Sequence, residues 1–319
     1  MAHSQLTLAQ RYEIYAYLQA NISKSRIAVL LNVHRSTVYR EIKRNTVQGK
    51  YHPEKAHQAL KKRKHKAKSR RLSDQAWHLI DSLLRLDFSP EQISGHLRRI
   101  GIYSVSHEWI YQHILADKAI GGDLWKHLRR SNKKRRKRYG KQDRRGSIPN
   151  RISIDKRPAI VMRKIRIGDW EIDLATGKGH SGYLVVAVER KSMQTLIKLI
   201  PDKKAETVTK AIIEMLMPYR SYIKTITIDN GKEFSNHEEI ARELKTRVYF
   251  AHPYSAWERG LNENTIGLIR QYFPKNKSLD NIDSREVEFV QNKLNMRPRK
   301  TLKFRSPNEV FFNVVAFET

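Results

Sequence analysis

Apolar residues recur at helical spacing near the start of the chain. Residues 6–45 contain three such segments, with breaks at residues 21–23 and at Asn32-Val33. This pattern predicts three short helices with a tight turn before the last one. It is typical of a helix-turn-helix module, and a small helical bundle with a basic surface is the alternative.

A second trio of helices is predicted downstream, at residues 73–86, 89–99 and 105–111. Ser89 followed by Pro90 is typical of a helix start, because the serine caps the helix and the proline suits its first position. We expect a second helix-turn-helix-like module here, and a packing or dimerising module is the alternative.

The pattern changes to alternating strands and helices after residue 166. Short apolar runs with polar breaks predict five strands, at residues 166–175, 183–189, 195–201, 222–228 and 247–251. Helical periodicity predicts three helices, at residues 204–219, 237–244 and 257–272. We therefore expect an α/β domain with a mixed five-stranded sheet, a meander of its first three strands, and flanking helices.

Together these patterns predict five parts along the chain. They are a helix-turn-helix domain over residues 1–48, a basic linker or helix over 49–71, a second helix-turn-helix-like domain over 72–117, a basic linker over 118–165, and the α/β domain with a C-terminal helical tail over 166–319.

The charge of the chain indicates its partner. Lys and Arg number 63 against 32 Asp and Glu, which gives a formal net charge of +31. This is far beyond what solubility requires, so we expect a nucleic acid as partner, although charge does not distinguish DNA from RNA. Residues 61–71 and 129–145 are especially basic. Self-repulsion predicts that both runs are disordered or extended, as linkers, phosphate contacts or both.

Two features that the sequence lacks limit which metal ligands are possible and which cellular compartment we expect. The chain has no cysteine, so any metal must bind oxygen or imidazole ligands. The first ten residues lack the apolar core of a signal peptide, and no apolar run approaches the length of a membrane span. We expect a soluble intracellular protein with no membrane partner.

In a helix-turn-helix, the first residues of the last helix contact base edges. We expect Val38 and Ile42 of the first module to pack inward. The expected nucleic-acid contacts are His34, Arg35, Ser36, Thr37, Arg40 and Arg44 in the first module and Ser106 and His107 in the second.

Acidic residues mark three motifs of the α/β region: GDWEID at residues 168–173, DNGKEF at 229–234 and PYSAWERGLNEN at 253–264. In the first motif Asp169, Glu171 and Asp173 share one face of a strand, so spacing alone does not choose among them. Asp229 would also suit a turn that ends a strand. The strand and helix order resembles that of ribonuclease H-like folds, in which the first and fourth strands are neighbours, and this arrangement would bring Asp173 and Asp229 together.

These motifs resemble known families. The first two resemble retroviral integrase cores, and the strand and helix order is that of ribonuclease H-like folds. The third motif, continued by GLIRQYFPK at residues 267–275, closely resembles the insertion-sequence-thirty family of bacterial transposases. The N-terminal helix-turn-helix, RPRKTL at residues 297–302 and the Ser-Pro pair at 306–307 resemble that family as well, so the resemblance covers nearly the whole chain.

The resemblance implies a metal-dependent DNA transposase with three catalytic acids. Its motifs place the metal ligands at Asp173, with Glu171 in reserve, at Asp229, and at Glu263. The Asn-Glu-Asn match selects Glu263 over Glu258, although a solvated helical carboxylate is the plain alternative. Three oxygen donors favour hard cations, and we expect two Mg²⁺ ions, with Mn²⁺ able to substitute.

The resemblance also implies the partners and the reaction. The enzyme would cleave the 3′ ends of its element by hydrolysis and join them to target DNA by transesterification. The partners would be double-stranded DNA, as terminal inverted repeats and as target, and further copies of the chain in a homodimer or larger assembly. It would act in the bacterial cytoplasm at the nucleoid. A non-catalytic DNA-binding regulator and a ribonuclease acting on RNA–DNA hybrids are the competing hypotheses.

Three further residues in or near the third motif bear on DNA binding and on catalytic competence. Arg259 and Arg270 are candidate DNA phosphate contacts, and either would also suit a structural ion pair. Ile266 stands three residues after Glu263, on the same helix face, where the family usually has Asn. All three acids remain, so the sequence predicts a competent enzyme.

Overall fold

The computed structural model describes residues 5–68, 72–129, 148–253 and 255–317. The chain divides into two compact units, Met1–Asp74 and Gln75–Thr319. Across the described ranges, no helix combines the length and the apolar character needed to cross a membrane.

The first unit confirms the predicted three-helix module. Its helices are α1 (Leu8–Gln19), α2 (Lys24–Leu30) and α3 (Arg35–Asn45). Thr7 caps α1 and Ser23 caps α2, each accepting a backbone N–H. Asn21 and Asn32 adopt left-handed conformations that turn the chain between the helices. Apolar residues of all three helices form one core, which contains Ile14, Ile27, Ala28, Val38 and Ile42.

A β-hairpin and a fourth helix complete this unit. The hairpin consists of β1 (Thr46–Val47) and β2 (Lys50–Tyr51), and α4 spans Pro53–Lys68. The expectation that the basic run begins disordered or extended is therefore wrong for residues 61–68, which continue α4. Ala56, almost fully buried, helps to anchor α4 in the core, and Lys and Arg are good helix formers once a helix has begun. Residues 69–71 and 130–145 of the basic runs lie outside the described residues.

The second unit begins with the second predicted helical trio. Its helices are α5 (Asp74–Arg85), α6 (Pro90–Arg99) and α7 (His107–Ala119). Ser89 caps α6 through a capping box with Gln92, and Pro90 occupies its first turn, as the sequence predicts. We call residues 72–127, which include a 3₁₀ turn at Leu124–His127, the second helical module.

Residues 148–165, expected to be part of a basic linker, are folded against the α/β domain. They form β3 (Ile152–Ser153), a 3₁₀ turn and α8 (Ile160–Arg163). The apolar side chains of Ile148, Ile154 and Val161 are buried. Because the segment is rich in Lys and Arg, its sequence did not indicate that these three apolar side chains are buried.

The α/β domain contains the predicted mixed sheet with one additional strand. The remaining elements are β4 (Asp169–Thr176), β5 (Tyr183–Glu189), β6 (Thr195–Ile200), α9 (Ala205–Leu216), β7 (Thr225–Ile228), α10 (His237–Glu243), β8 (Arg247–Phe250), α11 (Gly260–Ile269), α12 (Ser284–Met296) and α13 (Pro307–Phe317). The strand order is β3-β8-β7-β4-β5-β6. The predicted meander is confirmed, because β4, β5 and β6 pair antiparallel, while β4, β7, β8 and β3 pair parallel.

Helices cover both faces of this sheet. One face packs Trp170, Ile172 and Val185 in a core that includes residues of α9, α10 and α13. The opposite face packs Leu184 and Val186 in a core that includes residues of α11 and α12. Because β-strand side chains alternate, Asp173 projects from β4 on the second face, where α11 lies. The long helix predicted at residues 257–272 is instead a 3₁₀ turn, Ala256–Arg259, followed by α11.

Candidate active site

Two of the predicted metal ligands meet where β4 and β7 lie side by side. In the parallel register Glu171 pairs with Thr227, and two residues further along each strand stand Asp173 and Asp229. The Leu174 N–H donates to Asp173 Oδ1 at 2.8 Å, and the Gly231 N–H donates to Asp229 Oδ1 at 2.9 Å. A backbone N–H group thus holds the Oδ1 atom of each carboxylate in place. The two Oδ2 atoms remain able to contact one common partner.

That partner is the guanidinium of Arg259. Its Nη1 lies 2.9 Å from Asp173 Oδ2, and its Nη2 lies 3.5 Å from Asp229 Oδ2. The side chain is only 15% exposed and comes from the 3₁₀ turn that precedes α11. The pKa of Asp173 is raised to about 6, because burial, which Arg259 only partly offsets, and the neighbouring charge of Asp229 both raise it. The site therefore concentrates negative charge that a cation must balance.

The structure distinguishes the three acids of β4 that share one face. Asp169 is 1% exposed and accepts two hydrogen bonds of 2.9 Å from Arg166. Glu171 is also 1% exposed and pairs with Arg190, and its second oxygen lies 3.4 Å from the Asn262 N–H. The Asp173 side chain is 24% exposed. Asp173 alone of the three combines access to solvent with a second nearby carboxylate, which supports it over Glu171.

Glu263, the third predicted ligand, lies apart from the aspartate pair. It is exposed on α11, and within the described ranges no three acidic or histidine side chains come close enough to hold a metal ion. The competing Glu258 is engaged elsewhere, because it accepts from the backbone N–H of His252 at 2.8 Å and contacts the His252 ring at 2.8 Å. The structure thus brings two of the three expected acids together.

A divalent cation suits the aspartate pair. The donors are hard carboxylate oxygens, which Mg²⁺ and Mn²⁺ prefer, and the Oδ2 atoms of both aspartates already converge on one positive group, the Arg259 guanidinium. Asp173 and Asp229 would hold such an ion, and Glu263 is the remaining candidate ligand on the adjacent helix.

The ion pair between Arg190 and Glu171, which the sequence does not predict, supports this site. Arg190 is 4% exposed; it pairs with Glu171 and its Nε–H donates to the Val161 carbonyl. Because Glu171 also accepts from Asn262, the pair links β4 to the start of α11. No signal in a single sequence matches Arg190 with Glu171, because the partners become neighbours only through strand pairing.

The three arginines predicted to contact nucleic acid from the last helix of the first module are exposed to solvent. Arg35, Arg40 and Arg44 are exposed on α3, while Val38 and Ile42 are buried as expected. His34 caps α3, since its Nδ1 accepts from the Ser36 N–H.

Four other predicted contacts have different surroundings. Ser106 caps α7 by accepting from the Trp109 N–H at 3.2 Å. His107, the first residue of α7, is exposed, whereas Thr37 on α3 is half-buried. Arg270 donates to the Thr176 carbonyl at 2.8 Å and to the Phe273 carbonyl at 3.3 Å. These contacts support a structural role for Arg270 rather than a phosphate contact.

A largely buried carboxylate joins the second helical module to the helices on the catalytic face of the sheet. Asp87, in the turn between α5 and α6, accepts from the hydroxyl of Tyr272 at 2.8 Å and from the ammonium of Lys293 at 2.6 Å. The ring of His127 contacts its other oxygen at 2.9 Å. Tyr272 follows α11 and Lys293 lies on α12, so the module is fixed to the helices that cover the catalytic face of the sheet.

Known proteins resemble this chain over nearly its full length. A family model described as a helix-turn-helix domain matches residues 2–45, and one described as an integrase core domain matches residues 163–256. The chain is 45% identical to the transposase for insertion sequence element IS4351 of Bacteroides fragilis, over 97% of this chain and 96% of that protein. It is 37% identical to transposase InsI for insertion sequence element IS30A of Escherichia coli K12, over 99% of this chain and 85% of that protein.

A solved structure, the catalytic core domain of BIV integrase, matches 47% of this chain and 97% of its own at 20% identity and a TM-score of 0.37. The sequence relatives are much closer and extend over both the helix-turn-helix and the core. The chain therefore belongs to the IS30 family of insertion-sequence transposases.

Proposed function

We propose that this protein binds the terminal inverted repeats of its own element, cleaves the 3′ ends and transfers them to target DNA. The observation that carries the proposal is the convergence of Asp173 and Asp229 on one cationic group at the edge of neighbouring parallel strands. Such a pair of carboxylates is what metal-assisted phosphodiester chemistry requires. Because DNA is the substrate, we expect the protein to act at the nucleoid of the bacterial cytoplasm.

The catalytic acids in this proposal are Asp173, Asp229 and Glu263. They would hold two Mg²⁺ ions, with Mn²⁺ able to substitute, and the bound metal would activate the attacking hydroxyl and stabilise the leaving oxygen. The backbone N–H groups of Leu174 and Gly231 orient the two aspartates. Glu263 must approach the pair from α11 to take part, since that helix carries it beside the catalytic face.

Arg259 has two roles in the proposal. Without metal, its guanidinium balances the charge of the two aspartates. When a cation takes over that balance, the side chain becomes available to a DNA phosphate next to the reacting bond, for which a planar guanidinium is well suited. The ion pair and the phosphate contact are then two states of Arg259, the first without metal and the second with metal bound.

The first helix-turn-helix supplies sequence recognition. Arg35, Arg40 and Arg44 lie exposed along α3, as a helix inserted in the major groove requires. Because an element has two ends that must be joined to one target, we propose that two or more copies of the chain assemble on DNA.

The test is nicking of DNA that carries the terminal repeats, in Mg²⁺ or Mn²⁺, by the wild type, Asp229→Asn and Asp202→Asn. Asp202 is a half-exposed acid in the loop before α9 and serves as the matched control. We expect Asp229→Asn to bind DNA without nicking it and Asp202→Asn to behave as wild type. Equal nicking by Asp229→Asn would refute the assignment. Binding without nicking by every protein would favour a regulator, and preferred cleavage of RNA–DNA hybrid would favour a ribonuclease.

A further inference from the structure

The hairpin of the first unit follows directly on the recognition helix. α3 ends at Asn45, and β1 begins at the next residue. Gln48 and Gly49 form the two-residue turn with φ values of 49° and 76°, the left-handed pair that tight hairpin turns favour. The tip therefore projects beside α3 as a compact element.

The packing of Tyr51 fixes this hairpin relative to α3. Tyr51, on β2, is 5% exposed and lies in the core with Val38 and Ile42 of α3. Its hydroxyl donates to Glu41 Oε1 at 3.3 Å, and Arg11 Nε donates to the same oxygen at 2.7 Å. A buried side chain held by both packing and hydrogen bonds leaves the hairpin little freedom to move.

A cleft of about 810 Å³ lies between the hairpin, α3 and the end of α1. Its lining is basic and aromatic, and among the described residues that form it none is acidic. Its charged and aromatic side chains include Lys24, Arg40, Lys43, Lys50, Tyr15 and Tyr39.

No acidic residue among the described lining residues offsets the positive charge of this cleft. Glu41, the acid of α3, faces inward to Arg11 and is 9% exposed. Lys43 and Lys50 are exposed on opposite walls of the cleft, one on α3 and one on the hairpin. The Lys24 ammonium lies 5.6 Å from the centroid of the exposed Tyr39 ring, which holds it at the cleft edge. The cleft is thus suited to an anion with charges spaced along it.

We propose that this cleft binds the phosphate backbone of the DNA whose bases α3 contacts, with the hairpin acting as a wing. The proposal rests on the proposed DNA binding by the first module and adds a second contact site to it. Arg40 lines the cleft and is also a predicted base contact, so the two surfaces are continuous. Exposed lysines without fixed geometry suit phosphates, which offer charge but no sequence information.

The test compares full-length Lys43→Ala and Lys50→Ala with Lys55→Ala. Lys55 is an exposed lysine of α4 that does not line the cleft, so it controls for the loss of one charge. Affinities for terminal-repeat DNA and for a scrambled duplex are measured between 50 and 300 mM salt. For one lost phosphate contact we expect about an eight-fold loss of affinity at 0.1 M salt, for both duplexes alike, and a salt slope lower by about 0.9.

The absence of native cysteine allows an independent measurement. A DNA-cleaving iron chelate attached to Lys50→Cys should cut the duplex backbone beside the α3 site, and the same reagent on Lys55→Cys should cut it far less. This readout needs only a folded protein bound to DNA, so it remains decisive if an alanine variant is unstable.

The outcomes separate this proposal from the function on which it rests. If Lys43→Ala and Lys50→Ala match Lys55→Ala in affinity and slope, the wing proposal is overturned while specific binding by the wild type stands. If the variants lose preference for the terminal repeat, the cleft contacts bases and the phosphate assignment is wrong. If the wild type itself shows no preference for terminal repeats, the proposed function fails, whatever the lysines do.

Discussion

Replacing Arg259 with glutamine should make the aspartate pair bind divalent metal more tightly. In the present arrangement an incoming cation must displace a guanidinium that contacts both Asp173 and Asp229. A unit charge about 4 Å from another contributes about 4 kcal/mol at an effective dielectric constant near 20. The carboxylates are 24% and 27% exposed, so solvent screening reduces this value, and we expect about 1.4 to 2.8 kcal/mol, or a 10- to 100-fold gain in affinity.

Titration calorimetry or manganese electron paramagnetic resonance on DNA-free protein measures this affinity without any need for catalysis. Arg242→Gln is the matched control, because Arg242 is an exposed arginine of α10 whose ion pair is with Glu243. Arg242→Gln should bind Mn²⁺ like the wild type, and Asp229→Asn should bind it weakly. Unchanged or weaker Mn²⁺ binding by Arg259→Gln would show that the guanidinium does not compete with metal.

Three further substitutions test other parts of the molecule. Arg35→Ala and Arg40→Ala should each weaken binding to the terminal repeat by about 1 to 3 kcal/mol and reduce discrimination against competitor DNA, measured by competition binding; unchanged discrimination would reject α3 as the recognition helix. Burial would raise the pKa of Asp87, but hydrogen bonds from Lys293, His127 and Tyr272 outweigh it and lower the pKa. A lowered pKa means that Asp87 stabilises the fold above its unfolded pKa and loses this effect as pH falls through the folded value. Asp87→Asn should therefore lower the free energy of unfolding by about 3 kcal/mol at pH 7, with the difference shrinking below about pH 4 in denaturant titrations; a difference independent of pH would contradict this assignment.

The sequence was sufficient to predict elements with a clear period and a pair of acids on neighbouring strands. β5 has the predicted bounds, because a run of seven buried residues between polar breaks can form few structures other than a buried strand. The meeting of Asp173 and Asp229 was implied by the resemblance to ribonuclease H-like folds, whose first and fourth strands are neighbours, because residues at matched positions of adjacent parallel strands lie close together.

Features that depend on tertiary contacts could not be predicted in the same way. The hairpin strands are two residues long, too short for any alternation to show. For the first basic run the sequence left both a linker and a helix open, because the packing of α4 through Ala56, which stabilises the helix, is a tertiary contact. Arg259 was recognised as either an ion pair or a phosphate contact, but its position between two aspartates comes from the 3₁₀ turn that interrupts the predicted long helix.

The contact of Asp87 with Tyr272 and Lys293 has a geometric consequence for the substrate. Because one buried carboxylate fastens the second helical module to the helices over the catalytic face, the module and the aspartate pair keep a constant separation. Any duplex held by that module is then presented to Asp173 and Asp229 at a set distance along its axis. The cut would then fall at a fixed number of base pairs from the bound segment.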